Sequence, residues 1–176
     1  MSYLGGNTIR SGGVINAGDP EPQKAQGIED STDLHFKHTY EGGDNKANPE
    51  LVRTLVEGAL PALQRALDRG LKIYPEITTA TGALWPRTHR LVEPAGTGWI
   101  RVYSESAAKA GVEIRKDTKV VSLLREEPLA GRVYGVKTVD KAGNELEIHA
   151  RRGVVMASGG FGADVKLRMQ HNPALG

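Results

Sequence analysis

Apolar side chains recur along this chain with two different periods, and the change of period divides it. Leu51, Val52, Leu55, Val56, Ala59, Leu60, Leu63 and Leu67 follow one another at steps of one, three and four. That spacing places one apolar stripe along a helix. Asn48 caps it, Pro49 fills the first turn, where a missing N–H is harmless, and Glu50 suits the positive end of the dipole. Gly70 stops it. Pro61 lies inside and predicts a kink, or two abutting helices near Gly58. An earlier helix is predicted from a Ser31 cap to about Tyr40, closed by Gly42-Gly43. A later one runs from about Gly98 to Ala110, with Trp99, Val102, Tyr103 and Ala107 on one face and Gly111 as its stop.

After Gly111 the period shortens. Val112 and Ile114 alternate with charge, and Val120–Leu124 form an apolar run, which predicts two short strands. Val133, Val136 and Val139 precede the turn Lys141-Ala142-Gly143-Asn144, and Leu146 and Ile148 alternate after it, which predicts a hairpin. "GVVMA" at 153–157 reads as a strand buried on both faces. A final helix starts at Asp164. Residues 1–20 read as loop, and 74–97, with three prolines and two glycines, as an ordered irregular segment. Helices feeding strands, with a meander inserted, make the class α/β.

Composition narrows this picture a little. At 176 residues the chain fits one domain, and its mean hydropathy of −0.38 is that of a soluble globular protein. No apolar run approaches the roughly 20 residues that span a bilayer. Net charge is +2, too balanced for a nucleic-acid surface. There are no cysteines, so disulfides, thiolate metal sites and a thiol nucleophile are excluded from this stretch. Glycine is the outlier at 22 residues, many in pairs, which signals positive φ angles or backbone lying close against something.

Two of the paired-glycine segments carry candidate chemistry. "GGNTIRSGG" at 5–13 sets Asn7, Thr8 and Ser11 among glycines, which suits a polar cofactor contact and equally a flexible tail. "VVMASGGFG" at 154–162 ends an apolar run in small residues, where a ligand can approach converging N–H groups; a tight turn would read the same way. It is not a Walker loop, since no Gly-Lys-Ser/Thr follows. His35 and His38 are three apart on a predicted helix, and without a third ligand they read as solvated. His89, between Arg87 and Arg90, suits either an anionic group or ordinary loop polarity. His149 and His171 read as surface residues, Glu126-Glu127 as a turn, and Arg151-Arg152 as a solvated strand end.

Segments in a fixed order identify a resemblance: "GGNTIRSGGVINA" at 5–17, "STDLHFKHTYEGGDNKANPELV" at 31–52, "HRLVEPAGTG" at 89–98, "AAKAGVEIRKDTKVVSLL" at 107–124 and "GVVMASGGFG" at 153–162, with "HNPALG" at 171–176 after them. Together they resemble the flavoprotein subunit of fumarate reductase and succinate dehydrogenase and its soluble relatives, including flavocytochrome c, urocanate and methacrylate reductases. The resemblance covers nearly the whole chain. It implies a partial Rossmann-like FAD-binding domain with an inserted antiparallel β-meander and a helical segment. FAD contacts are implied at Asn7, Thr8, Gly12 and Gly13, at Val121 (or Val120) toward the adenine, and at Ala157, Ser158, Gly159 and Gly160. Ser158 stands where the family has Thr.

The resemblance further implies hydride transfer from flavin N5 to an α,β-unsaturated carboxylate such as fumarate, with an electron donor as partner. A ketosteroid-dehydrogenase-like flavoenzyme shares the glycine loops and is the alternative. The family's opening GxGxxG unit and its later clamp domain, with the substrate-binding and proton-donating residues, match nothing here. The expectation is therefore an internal piece, with residues 1–20 loop, 31–70 helical and 98–176 α/β. No catalytic residue, no metal, no nucleic acid and no membrane span is expected in it, and the compartment stays open between cytoplasm and periplasm. By itself the piece is expected to be inactive, with a mobile start and no tightly bound FAD.

Overall fold

In the computed structural model, which describes residues 2–175, the chain folds as two units that divide between Lys116 and Asp117. The first unit is built on the predicted helices. Asn48 Oδ1 accepts hydrogen bonds from the Glu50 and Leu51 N–H groups, and helix α3 spans Pro49–Leu67. Ser31 Oγ accepts from the Leu34 N–H, and α2 spans Thr32–Gly42. Helix α4 spans Thr97–Lys109 and ends before Gly111, whose φ of +69° is the left-handed value a helix stop needs. A short helix, α1, spans Pro20–Ala25, where no helix is predicted.

Helix α3 is one continuous element, not two. Pro61 and Glu57, whose carbonyl loses its helical donor, both lie on the exposed side, so water can satisfy that carbonyl. The buried stripe is also narrower than predicted. Val52, Val56, Ala59, Leu63 and Ala66 face inward, while Leu51 and Leu55 are exposed. On α4, Val102 is buried and Tyr103 is half exposed. Leu63, Ala59, Ala66 and Val102 meet Leu71, Leu91 and Ala17 in one core, with Ile15, Ile73 and Trp99 packed around it.

Residues 1–20 are more than loop. Thr8–Arg10 form a 3-10 turn, and Ile15–Asn16 (β1) pair antiparallel with Thr88–His89 (β2) in the register Ile15↔His89 and Asn16↔Thr88. Bridges Ile73↔Leu91 and Thr78↔Thr88 tie the irregular segment to the same place. Ala17, expected in a mobile start, is fully buried.

The second unit is a meander of strands β3 (Lys119–Arg125), β4 (Val133–Val139) and β5 (Glu145–His149), antiparallel in the order β3-β4-β5. Its second turn is held by Asp140, whose Oδ1 accepts from the Ala142 and Asn144 N–H groups, with Gly143 at φ +85°. Helix α5 (Val165–His171) is capped by Asp164, as predicted.

Two predicted strands do not form. Residues 112–114 join no strand, and the Val112 N–H donates back to the Ala107 carbonyl at 2.9 Å. Residues 153–157 are also unpaired and, far from being buried on both faces, leave Val155 91% and Met156 61% exposed. An apolar run becomes a strand only when a neighbour takes its N–H and C=O groups, and among the described residues none lies beside this one. Both sheets of the described residues are antiparallel, so the architecture is α/β in the sense of helices with small antiparallel sheets. No helix of the described residues is long and apolar enough to cross a membrane.

Candidate functional site

The glycine loop of the first unit is closed by its own side chains. Ser11 Oγ donates to the Thr8 carbonyl at 2.7 Å and accepts from the Gly13 N–H at 3.2 Å. Trp99 Nε1 donates to the Gly13 carbonyl at 2.6 Å. The loop clasps the start of α4 so closely that side chains are impossible at two places. A Cβ on Gly13, at φ +73°, would lie 1.9 Å from the Ala95 carbonyl oxygen, and one on Gly96 would lie 1.9 Å from that of Thr8. These glycines are explained by backbone approaching backbone. The expected loose tail is instead fastened at both ends.

The other side of the loop is open. Asn7 and Thr8 are exposed, and the Asn7 side chain makes no capping bond to the 3-10 turn it precedes. A Cβ on Gly6 or Gly12 would meet nothing within 4 Å. Of the residues assigned to FAD in this unit, Asn7, Thr8 and Gly12 thus present free polar and backbone surface, while Gly13 is buried beneath them.

In the second unit, Val121 lies on β3 where the pairing with β4 shifts register, between Val120 and Ser122. Ala157, Ser158, Gly159 and Gly160 are exposed, and none of their N–H groups has an acceptor among the described residues. A Cβ on Gly159 or Gly160 would meet nothing within 4 Å. This is a segment of unspent donors with no side chains in the way, which fits the polar end of a dinucleotide.

Sequence reasoning missed the polar core of the first unit. Arg87 and Asp30, 57 positions apart, form a two-point ion pair with Nη2–Oδ1 2.5 Å and Nε–Oδ2 2.8 Å. Their side chains are only 4% and 2% exposed. Gln23 Nε2 and the Ser31 N–H each donate to the same carboxylate at 2.9 Å. Burial pushes the Asp30 carboxyl up, but the hydrogen bonds from Arg87 and Gln23 outweigh it and hold the group below the ordinary carboxylate range. No local pattern could have announced this pair, because it joins two loops.

The anionic reading of 87–90 does not hold. Arg87 is consumed by Asp30, Arg90 lies over the Tyr74 ring at 5.1 Å, and His89 is fully buried. His89 Nε2 lies 3.3 Å from the Ala17 carbonyl, and its buried Nδ1 has no partner among the described residues. Burial lowers its pKa, opposed in part by the Ala17 carbonyl and Asp19. The solvated reading of the α2 histidines also fails for His35, which is buried. Desolvation and the Arg87 charge both lower its pKa. His149 and His171 are on the surface as predicted.

A cleft of about 320 Å³ opens beside this core, lined by Asn16, His35, His38, Thr39, Trp85 and Arg87 among others. Among the described residues no group of three His, Cys, Asp or Glu side chains could hold a metal ion.

The chain matches the model of the FAD binding domain family over residues 1–176. It belongs to that family. An NADH:fumarate oxidoreductase of Klebsiella pneumoniae (strain 342) is 33% identical over 177 residues, which cover 99% of this chain and 19% of that protein. Among solved structures, the open conformation of a flavocytochrome c3 fumarate reductase superposes with a TM-score of 0.87 at 26% identity, covering 98% of this chain and 30% of that one. A 3-ketosteroid-Δ4-(5α)-dehydrogenase from Rhodococcus jostii RHA1 superposes with a TM-score of 0.82 at 27% identity, covering 98% of this chain and 42% of that one. The chain therefore spans between about a fifth and two fifths of the length of these relatives.

Proposed function

We propose that this chain is the FAD-holding part of a flavoprotein that reduces an α,β-unsaturated carboxylate such as fumarate. The family match along the whole chain carries this reading, supported by the likeness to fumarate-reducing relatives. In the first unit, Asn7, Thr8 and Gly12 would meet the cofactor, with Gly13 fixing the loop beneath them. In the second, Val121 and the donors of Ala157, Ser158, Gly159 and Gly160 would do so. The FAD domain is proposed to be Rossmann-like, with the antiparallel meander as its inserted part.

When bound, FAD supplies the hydride chemistry. The residues of this chain orient and polarise it; none is assigned a catalytic role. Reduction of the alkene, and its dicarboxylate substrate and electron donor, are accordingly proposed for a protein that carries this domain. The 176 residues alone are proposed to hold FAD more weakly than micromolar and to turn over no substrate.

Reoxidation of a reduced viologen dye by fumarate, measured anaerobically with a flavin-loaded longer protein that carries this domain, tests the reaction. Dye oxidation by fumarate is the expected result; flavin loading with no turnover of fumarate or related enoates would overturn it. The superposition on a ketosteroid dehydrogenase supports a second reading, a flavin-dependent oxidation of another substrate. Reduction of an oxidised acceptor dye such as dichlorophenolindophenol by a 3-ketosteroid, with the same protein in a separate assay, would favour that one.

A further inference from the structure

We propose that helix α3 pairs with the α3 of a second copy of this chain, antiparallel, about a two-fold axis at Gly58. The proposal is separate from the FAD reading and stands without it. An apolar face that the fold leaves uncovered is the first observation. Leu51 and Leu55 are 69% and 62% exposed, one turn apart near the start of the helix. Exposed Gly58 and half-buried Ala62 continue the line at steps of three and four, so the four residues share one face. The buried stripe of Val52, Val56, Ala59, Leu63 and Ala66 lies about a quarter-turn away round the helix. A single exposed leucine is ordinary; two adjoining ones beside a flat continuation form a seat for another surface.

Gly58 is the second observation. Glycine is the poorest helix former after proline, and this one stands inside a 19-residue helix. Nothing within the chain requires it. A Cβ on Gly58 would meet nothing within 4 Å, and the residue is not among the glycines with positive φ. Gly13 and Gly96 are accounted for by backbone pressed against them; Gly58 leaves the same room on the outside. A bare backbone there lets a facing helix come close.

Charge selects the occupant and its direction. The first half of α3 carries Glu50, Arg53 and Glu57, two acids against one base, for a net −1. The stretch from Pro61 to Gly70 carries Arg65, Asp68 and Arg69, for a net +1. Arg53 is taken by Asp33 and Glu57, whereas neither Glu50 nor Arg65 has an ion-pair partner among the described residues. An antiparallel second copy lays the acidic half of each helix on the basic half of the other, and the opposed dipoles agree with that direction. With the axis at Gly58, Leu55 packs on Ala62 of the second copy, and Leu51 on the stem of its Arg65. Glu50 then stands across from that guanidinium, and the two-fold axis makes every contact twice. A parallel pair would oppose like charge with like. The helix is about 28 Å long, and one such pair buries less than the roughly 1,200 Å² of a stable interface, so the dimer is weak, with a Kd on the order of 100 µM.

Sedimentation equilibrium of the 176-residue chain, from about 10 µM to 1 mM, tests this. A reversible monomer–dimer equilibrium is expected. Leu55→Asp, at an exposed position, should weaken it about tenfold or more. Gly58→Leu should raise the thermal midpoint of the monomer while abolishing association, a split that a purely structural glycine would not produce. Glu50→Arg and Arg65→Glu should each weaken the dimer about threefold, and the double variant should recover to within about twofold of the parent. These two positions are 15 residues apart, about 22 Å along one helix, so recovery requires a pair between copies. Any of three results overturns the proposal. A monomer at every concentration would leave the face to another part of a longer protein. A dimer indifferent to Gly58→Leu would move the contact elsewhere on the chain. A double variant no better than the single ones would remove the antiparallel register.

Discussion

The two units of this molecule are written in sequence of similar character and bury it very differently. Residues 2–116 bury ten apolar side chains, from Ala17 to Val102, around α3 and α4, and enclose Gln23, Arg87, Thr88 and His89 with them. In residues 117–175 only Gly135 and Thr138 are buried, while Val120, Val121, Leu146, Ile148, Val155 and Met156 remain exposed. The first unit is held by layers, with helices covering one another and the loop strands. The second is held by a backbone ladder and its turns. The lesson is that an apolar run reports a capacity for burial, and a second layer decides whether the capacity is used.

The sharpest way to break this contrast is to remove a buried partner. Arg87→Met strands the Asp30 carboxylate, which loses the bidentate pair that offsets its desolvation. A destabilisation of about 3–5 kcal/mol is expected in urea unfolding. Tryptophan fluorescence reads it selectively, because Trp85 and Trp99 are both in the first unit. The counterpart in the second unit is the ion pair of Lys137 with Glu145 at 2.7 Å, which faces solvent. Lys137→Met should leave amide-exchange protection of the meander unchanged. Equal loss from both substitutions would erase the distinction.

Apolar truncation comes next. Leu63 is completely buried, so Leu63→Ala should cost about 2–5 kcal/mol by the same fluorescence readout. Val155→Ala removes a side chain that is 91% exposed and should stay within about 0.5 kcal/mol of the parent in exchange protection. A large effect at Val155 would mean that the 153–157 run is covered after all.

These contrasts also mark what the sequence made legible. Helices α2, α3 and α4, the hairpin and α5 were readable because their signals are local: Ser31, Asn48 and Asp164 cap over three residues, and Gly111 and Gly143 sit where the chain must turn. The pairing of Ile15 with His89 and of Asp30 with Arg87 was not, since each joins positions more than 50 apart. His35 and His89 look like solvated polar residues in any window of sequence; only the packing around them makes them interior. The glycine segments were legible as glycine-rich and as family-like, but not in their division of labour. Gly13 and Gly96 serve packing, whereas Gly12, Gly159 and Gly160 leave backbone open to a ligand.

That division gives the third test. Gly13 and Gly159 have similar φ angles, +73° and +79°. Alanine at Gly159 meets nothing and should cost only the left-handed strain, about 1 kcal/mol. Alanine at Gly13 adds a collision with the Ala95 carbonyl and should cost at least about twice that. It should also release the hydrogen bond from Trp99 to Gly13, seen as loss of the slow-exchanging indole proton. If residues 5–13 exchange freely in the unaltered chain, the clasp is absent and the two alanines should behave alike.

The smallest expected effect is a slope, and it separates the units by pH. His35 and His89 are both held below the ordinary histidine value of 6.5, in each case first by burial. The unfolded chain therefore binds more protons than the folded one below that value. The sign follows: stability from these residues is fully present above about pH 6.5 and declines as the pH falls through 6.5 toward the lowered folded values. Asp30 adds nothing in that window, because its own pKa is lowered from an already acidic 3.8 and its contribution fades only at much lower pH. Acidification from pH 7 to 5 should thus lower the urea midpoint of the first unit. His89→Phe should reduce the slope, since it removes a buried ring whose Nδ1 has no partner among the described residues and keeps an aromatic in its place. A midpoint independent of pH across this range would mean that the rings stay accessible to protons, and with them the interior that distinguishes the first unit from the second.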